Sequence, residues 1–161
     1  MKEKGQLQLS FGMIFSIIII IATLAVAFYV IRVFLTTSDC EQIQILYRDL
    51  DKEVDAVWRS PAAQTTFIHD VPSSIRSLCF GDPRLLSPQK YPRESAELAR
   101  YAFPDRNVHA TPENDCGKSA TAHSLAHVSF TSPFCVSPIK GKISLKLSKS
   151  NPSQSQVTLS P

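Results

Sequence analysis

Four cysteines and two histidines carry most of the reactive chemistry in this chain: Cys40, Cys79, Cys116 and Cys135, with His123 and His127. Thiols and imidazoles have two common joint uses. The first is disulfide pairing in an oxidising compartment, which an even number of cysteines permits. Three connectivities are possible. Cys40–Cys79 with Cys116–Cys135 is the expected one: the first would tie a helix to the sheet, and the second would close a polar segment without a core of its own. The second use is tetrahedral zinc. Cys116, His123, His127 and Cys135 supply two sulfur and two nitrogen donors, with the histidines one helical turn apart. Compact zinc modules hold their cysteines two to four residues apart, and here the gaps are wider. Disulfides are therefore expected, with no metal and no other cofactor, and a zinc-binding module stands as the alternative. His69 and His109 are isolated in sequence and are expected at the surface.

Catalytic patterns are missing. No serine sits in a nucleophile elbow, and neither a Walker loop, a dinucleotide fingerprint nor an HExxH pair occurs. Asp49, Asp51, Glu53 and Asp55 are spread along one helical stretch and do not converge as a general acid–base pair would. With 17 basic and 14 acidic residues the net charge is +3, which provides no footprint for nucleic acid. The chain is expected not to be an enzyme and not to bind nucleic acid.

The elements that position these residues begin with an apolar run. Phe11 to Ile31 reads FGMIFSIIIIIATLAVAFYVI, without a charge or a proline. At about 1.5 Å per residue such a helix crosses a hydrocarbon core of about 30 Å. Ser16 and Thr23 can return their hydroxyls to the helix backbone. Phe28, Tyr29 and Arg32 suit an interface. Lys2 and Lys4 precede the run, while Asp39 and Glu41 follow it, so the positive-inside bias places the N-terminus in the cytoplasm. The expectation is a single-pass protein of the cell membrane, in contact with membrane lipid, with its C-terminal part outside. The alternative is cleavage at Ala25-Val26-Ala27 and secretion. An ordinary signal core of 7–15 residues is shorter than this run.

Lys4-Gly5-Gln6-Leu7-Gln8-Leu9-Ser10-Phe11 leads directly into the apolar run. This stretch resembles the class III signal peptide of archaeal type IV pilins and related proteins. The resemblance implies that a prepilin peptidase cuts between Gly5 and Gln6. It also implies that the apolar segment is kept as a packing helix or anchor, and that the partners are further copies or other pilin-like subunits. Many family members carry Glu as the fifth residue of the mature chain, where this one has Ser10. The resemblance therefore bears on processing and anchoring more than on filament register.

Beyond the anchor, Ile43, Leu46, Leu50, Val54 and Val57 recur at steps of three and four, flanked by Tyr47 and Trp58. That is the stripe of an amphipathic helix whose acidic faces are solvated by default. Ser38 and Glu41 have capping-box spacing, which predicts a break or kink near Thr36–Asp39. A continuous helix, as in pilin-like proteins, is compatible with the absence of Pro and Gly there. Ser60-Pro61 ends the helix. Thr65–His69 and Ile75–Phe80 read as short strands. Residues 81–115, rich in proline, read as an irregular excursion with a helical patch at Glu94–Tyr101. Val128–Phe130 reads as a strand, and residues 142–160 as an antiparallel hairpin.

Cys40, Leu78-Cys79-Phe80, Pro133-Phe134-Cys135 and Gly141-Lys142-Ile143 are also similar to matching stretches of small archaeal membrane proteins. That likeness refines the architecture and implies no activity. The expected fold is α+β. It comprises a cytoplasmic leader (1–10), a transmembrane helix (11–35), an amphipathic helix (36–60) and a small extracytoplasmic antiparallel β-sheet domain (61–161). The expected function is a pilin-like surface protein acting by helix packing and protein–protein contact.

Overall fold

A computed structural model of the chain describes residues 11–101, 103–113 and 116–161. The expected cleavage site at Gly5 and Gln6 lies outside the described residues. By its internal contacts the chain divides after Thr36 into two units. Helix α1, Phe11–Arg59, contributes to both.

The expected break at Thr36–Asp39 does not form. Ser38 stays inside α1, where its hydroxyl accepts a bond from the Gln42 side chain at 3.4 Å and caps nothing. The apolar and amphipathic segments are thus parts of one helix, because no Pro or Gly interrupts the backbone ladder between them. Within residues 12–35 every side chain is exposed. Ser16 and Thr23 bond to the carbonyls of Gly12 and Ile20, as apolar surroundings would require.

In the second unit the apolar stripe of α1 is buried. Ile43, Leu46, Tyr47, Leu50, Val54 and Val57 are each at most 4% exposed. They share one core with two four-stranded sheets. The first sheet has the order β1-β7-β8-β5, with β1 at Ala63–Asp70, β5 at Val128–Ser129, β7 at Lys142–Lys149 and β8 at Val157–Ser160. Its inner face presents Phe67, Ile143, Leu145, Leu147, Val157 and Leu159. The alternation read in Lys142–Leu147 is this face, and β7 and β8 form the expected hairpin, with Leu147 opposite Leu159. The β5–β8 pair is parallel, so the domain is rich in antiparallel pairs without being purely antiparallel.

The second sheet has the order β4-β3-β2-β6, with β2 at Ser77–Phe80, β3 at Val108–Thr111, β4 at Ala122–His123 and β6 at Phe134–Val136. The two strands on either side of Pro72 therefore belong to different sheets. Residues 81–115 are more ordered than their prolines suggested. They hold a 3-10 turn at Pro83–Leu85, helix α2 at Pro92–Tyr101, and β3. All four side chains of β3 are buried, which removes the polar–apolar alternation by which a half-exposed strand is recognised. Helix α2 covers the other side of this sheet, where Leu98 packs with Leu86 and Cys79. Arg76 holds Glu97 at 2.6 Å and Ser77 bonds Glu94, fixing α2 to β2.

Candidate functional site

Cysteine geometry follows from these elements. Cys79 in β2 stands opposite Cys135 in β6, and the two are bonded, with Cα atoms 3.9 Å apart. Cys40 on α1 is bonded to Cys116, Cα to Cα 5.4 Å. Both disulfides exist, and the expected connectivity is corrected. Cys79 cannot reach Cys40 while β2 lies against β6, and Cys116 lies just before α3 (Lys118–Thr121), which packs on the helix side. The bond from Cys40 ties that loop to α1, and the second bond staples two neighbouring strands.

The same connectivity disperses the four residues weighed as zinc ligands. Cys116 and Cys135 are bonded to different partners. His123 Nε2 lies 2.8 Å from Asp51 Oδ2, and its ring stacks on Tyr47 at 4.8 Å. His127 stacks on Trp58 at 3.8 Å. Among the described residues no three His, Cys, Asp or Glu side chains are placed to hold a metal ion.

Around α1 the imidazoles have a positional logic. At 3.6 residues per turn, Tyr47, Asp51 and Trp58 line one edge of the apolar stripe, and Asp49 and Glu53 line the other. The first edge meets β4 and the segment that follows it, through His123 and His127. The second meets β1, where His69 Nε2 lies 3.4 Å from Asp49 Oδ2. Asp49 and Asp51 are therefore not merely solvated acids. Arg48, His69 and Lys52 around Asp49 outweigh its partial desolvation and hold its carboxyl below the usual range.

Helix α1 ends in the same way. The Lys149 ammonium donates to the Trp58 carbonyl, a cation at a helix C-terminus, and Trp58 Nε1 donates to the Ser155 carbonyl at 3.1 Å. The Tyr47 hydroxyl donates to the Ala120 carbonyl at 3.0 Å, and burial raises its pKa far above the ordinary value. Sequence reading missed these pairs. The available signal was the placement of Asp49, Asp51 and Trp58 at the borders of the stripe, where a side chain touches both core and water.

His109 is a further correction. It is 1% exposed in β3, and the expectation of a surface position fails because β3 is an interior strand. Its Nε2 donates to the Phe103 carbonyl at 3.2 Å, and burial lowers its pKa. His69 is partly buried against Asp49.

A cavity of about 500 Å³ lies between the 3-10 turn and α2, lined by Pro83, Leu86, Pro88, Leu98 and Pro104 with Arg84 at its rim. Arg84 is bound by Asp82 at 2.8 Å. Among the described residues the lining has no convergent pair of titratable groups. The most extensive exposed apolar surface among the described residues is instead on α1. Met13 to Leu35 exposes Ile17–Ile21, Leu24, Val26, Phe28 and Tyr29, and none of its most apolar stretch is buried. By length and composition it is long and apolar enough to cross a membrane. Compared with protein-family models, curated proteins and solved structures, the chain matches none.

Proposed function

We propose that this chain is a membrane-anchored, pilin-like surface protein. The apolar segment of α1 sits in the bilayer or in a packed helix core, and the disulfide-held α+β unit is displayed outside the cytoplasm. The observation that carries this reading is the composition of α1 itself. One uninterrupted helix has an all-round apolar, unburied N-terminal part and a C-terminal part with a single buried stripe. A helix apolar on every side is stable only where lipid or other helices cover it. Ile19, Ala22, Thr23, Val26 and Ala27 form a shallow face of mostly small side chains, a surface that lets a second helix approach closely. Two disulfides and no free thiol among the described residues fit an oxidising exterior.

The processing expected at Gly5–Gln6 gives the test. Intact-mass and N-terminal peptide analysis of the protein extracted from native membranes is expected to find a chain beginning at Gln6. A chain beginning at Met1 would remove the pilin-type assignment, leaving an uncleaved anchor. A chain beginning at Phe28, recovered from the medium, would replace the anchor with a secreted domain.

A further inference from the structure

Edges of the two sheets differ in one respect that points to a partner. Strands β4, β5 and β6 are two or three residues long, too short to template another strand. Strand β1 is the exception. It is eight residues, AQTTFIHD, at the edge of its sheet, and among the described residues its one strand partner is β7. Its pairing runs from Ala63↔Lys149 to Asp70↔Lys142 without a bulge. It contains no Pro and no Lys, the usual devices that protect an edge.

The phase of the ladder identifies the outward groups. Val71 donates to the Gly141 carbonyl at 2.8 Å, which places 71 and 141 in a hydrogen-bonded pair. Such pairs alternate in an antiparallel ladder. Phe67 and His69 therefore bond to β7, while the N–H groups of Gln64, Thr66 and Ile68 point to the open edge. Thr66 and Ile68 are exposed, Ile68 by 61%.

Beside this edge is a cleft of about 420 Å³, walled on one side by Asp49, Lys52 and Glu53 of α1 and on the other by Thr66, Phe67, Ile68 and His69 of β1. Within it Asp49 is held by Arg48, Lys52 and His69. Glu53 is half-buried and has no hydrogen-bond or ion-pair partner among the described residues. We infer that the β1 edge and the α1 wall form a strand-addition site for an extended peptide segment of another protein. That segment would carry a Lys or Arg facing Glu53. Main-chain bonds to Gln64, Thr66 and Ile68 would supply affinity, and Glu53 would supply the preference for a cation. A second copy pairing β1 with β1 fits less well, because AQTTFIHD carries no Lys or Arg that could face Glu53.

The inference is independent of how the chain is anchored, and its test uses the full chain in detergent micelles. The probe is a fluorescein-labelled, end-capped (Lys-Thr)4 peptide, with (Glu-Thr)4 as its counterpart, and anisotropy reports binding. The lysine peptide is expected to bind more tightly, and Glu53→Lys is expected to reverse the order. Thr66→Pro removes one outward N–H but leaves the β7 bonds, and is expected to weaken binding about tenfold, the size of one main-chain hydrogen bond. Should that variant misfold, two N-methylated lysine peptides keep the test alive. Methylating the amides of one alternate set should abolish binding to the wild-type chain, and methylating the other set should spare it. No binding of the lysine peptide, an unchanged order in Glu53→Lys, equal behaviour of the two methylated peptides, or a dimer of the chain alone that Thr66→Pro dissolves would each overturn the proposal.

Discussion

His109 shows how a single side chain carries a pH dependence. Burial favours its neutral form, and the nearby carboxylates of Asp82 and Asp105 only partly oppose this, so the folded-state pKa lies below the ordinary 6.5. As pH falls through that ordinary value, the unfolded chain takes up the proton first. The stabilisation is thus complete above the unfolded value and is lost as pH drops toward the lower, folded one. Urea unfolding of the wild-type chain and of His109→Gln, compared between pH 7.5 and 5, is expected to show their stability difference shrinking as the medium becomes acidic. A constant difference would contradict the buried neutral imidazole. At Gly81, φ is +98° and an added Cβ would stand 3.1 Å from the Pro133 Cα. Gly81→Ala is expected to lower the melting temperature through both strain and crowding. Each disulfide closes a long loop, with sequence separations of 76 and 56 residues. Loss of either is expected to cost about 4 kcal/mol in the chain-entropy account. Peptide mapping without reductant is expected to recover Cys40 joined to Cys116 and Cys79 joined to Cys135, and a Cys40–Cys79 fragment would contradict the topology.

At the scale of elements, α1 is defined by two different patterns on one backbone. Leu46 and Leu50 are fully buried in the core that α1 shares with both sheets, and truncating either to Ala is expected to cost about 2–5 kcal/mol. The same change at Ile18, exposed in the first unit, is expected to leave chemical unfolding of the second unit unchanged. Parallel denaturation curves would distinguish the two. The helix stripe and the β7–β8 hairpin were legible in the sequence because one face is buried and the other wet, so hydropathy keeps the period of the element. Strand β3 was not legible, since a strand covered on both faces loses that contrast. The disulfide pairing was also hidden. It depends on which strands become neighbours, and β2 pairs with β3 and β6 across separations that no local signal encodes. The uninterrupted α1 was decided by the absence of a breaker. A Ser–Glu spacing caps a helix only where the preceding residues leave the helical conformation, and the apolar run before Ser38 does not.

At the scale of the whole molecule, the chain divides into two units with different surfaces. The second unit has an ordinary interior and a polar exterior. The exposed part of α1 would be a large apolar surface in water, well beyond the few hundred Å² that soluble monomers tolerate. Replacing Ile18 and Ile20 together with Lys is expected to release the chain from membranes. Charges at the centre of a spanning helix cost roughly 2.5–3.5 kcal/mol each on insertion scales. Fractionation of cells expressing that variant would check this, and unchanged membrane retention would count against a spanning helix.

The most direct test of the account combines location and redox state. Native membranes are washed with alkaline carbonate, and the full chain is treated with a polymer-linked maleimide under denaturing conditions, with and without prior reduction. The account predicts that the chain stays in the membrane pellet, shows no mass shift without reductant, and gains four labels with it, at Cys40, Cys79, Cys116 and Cys135. Full-length chain in the soluble fraction, or four labels gained without reductant, would contradict it.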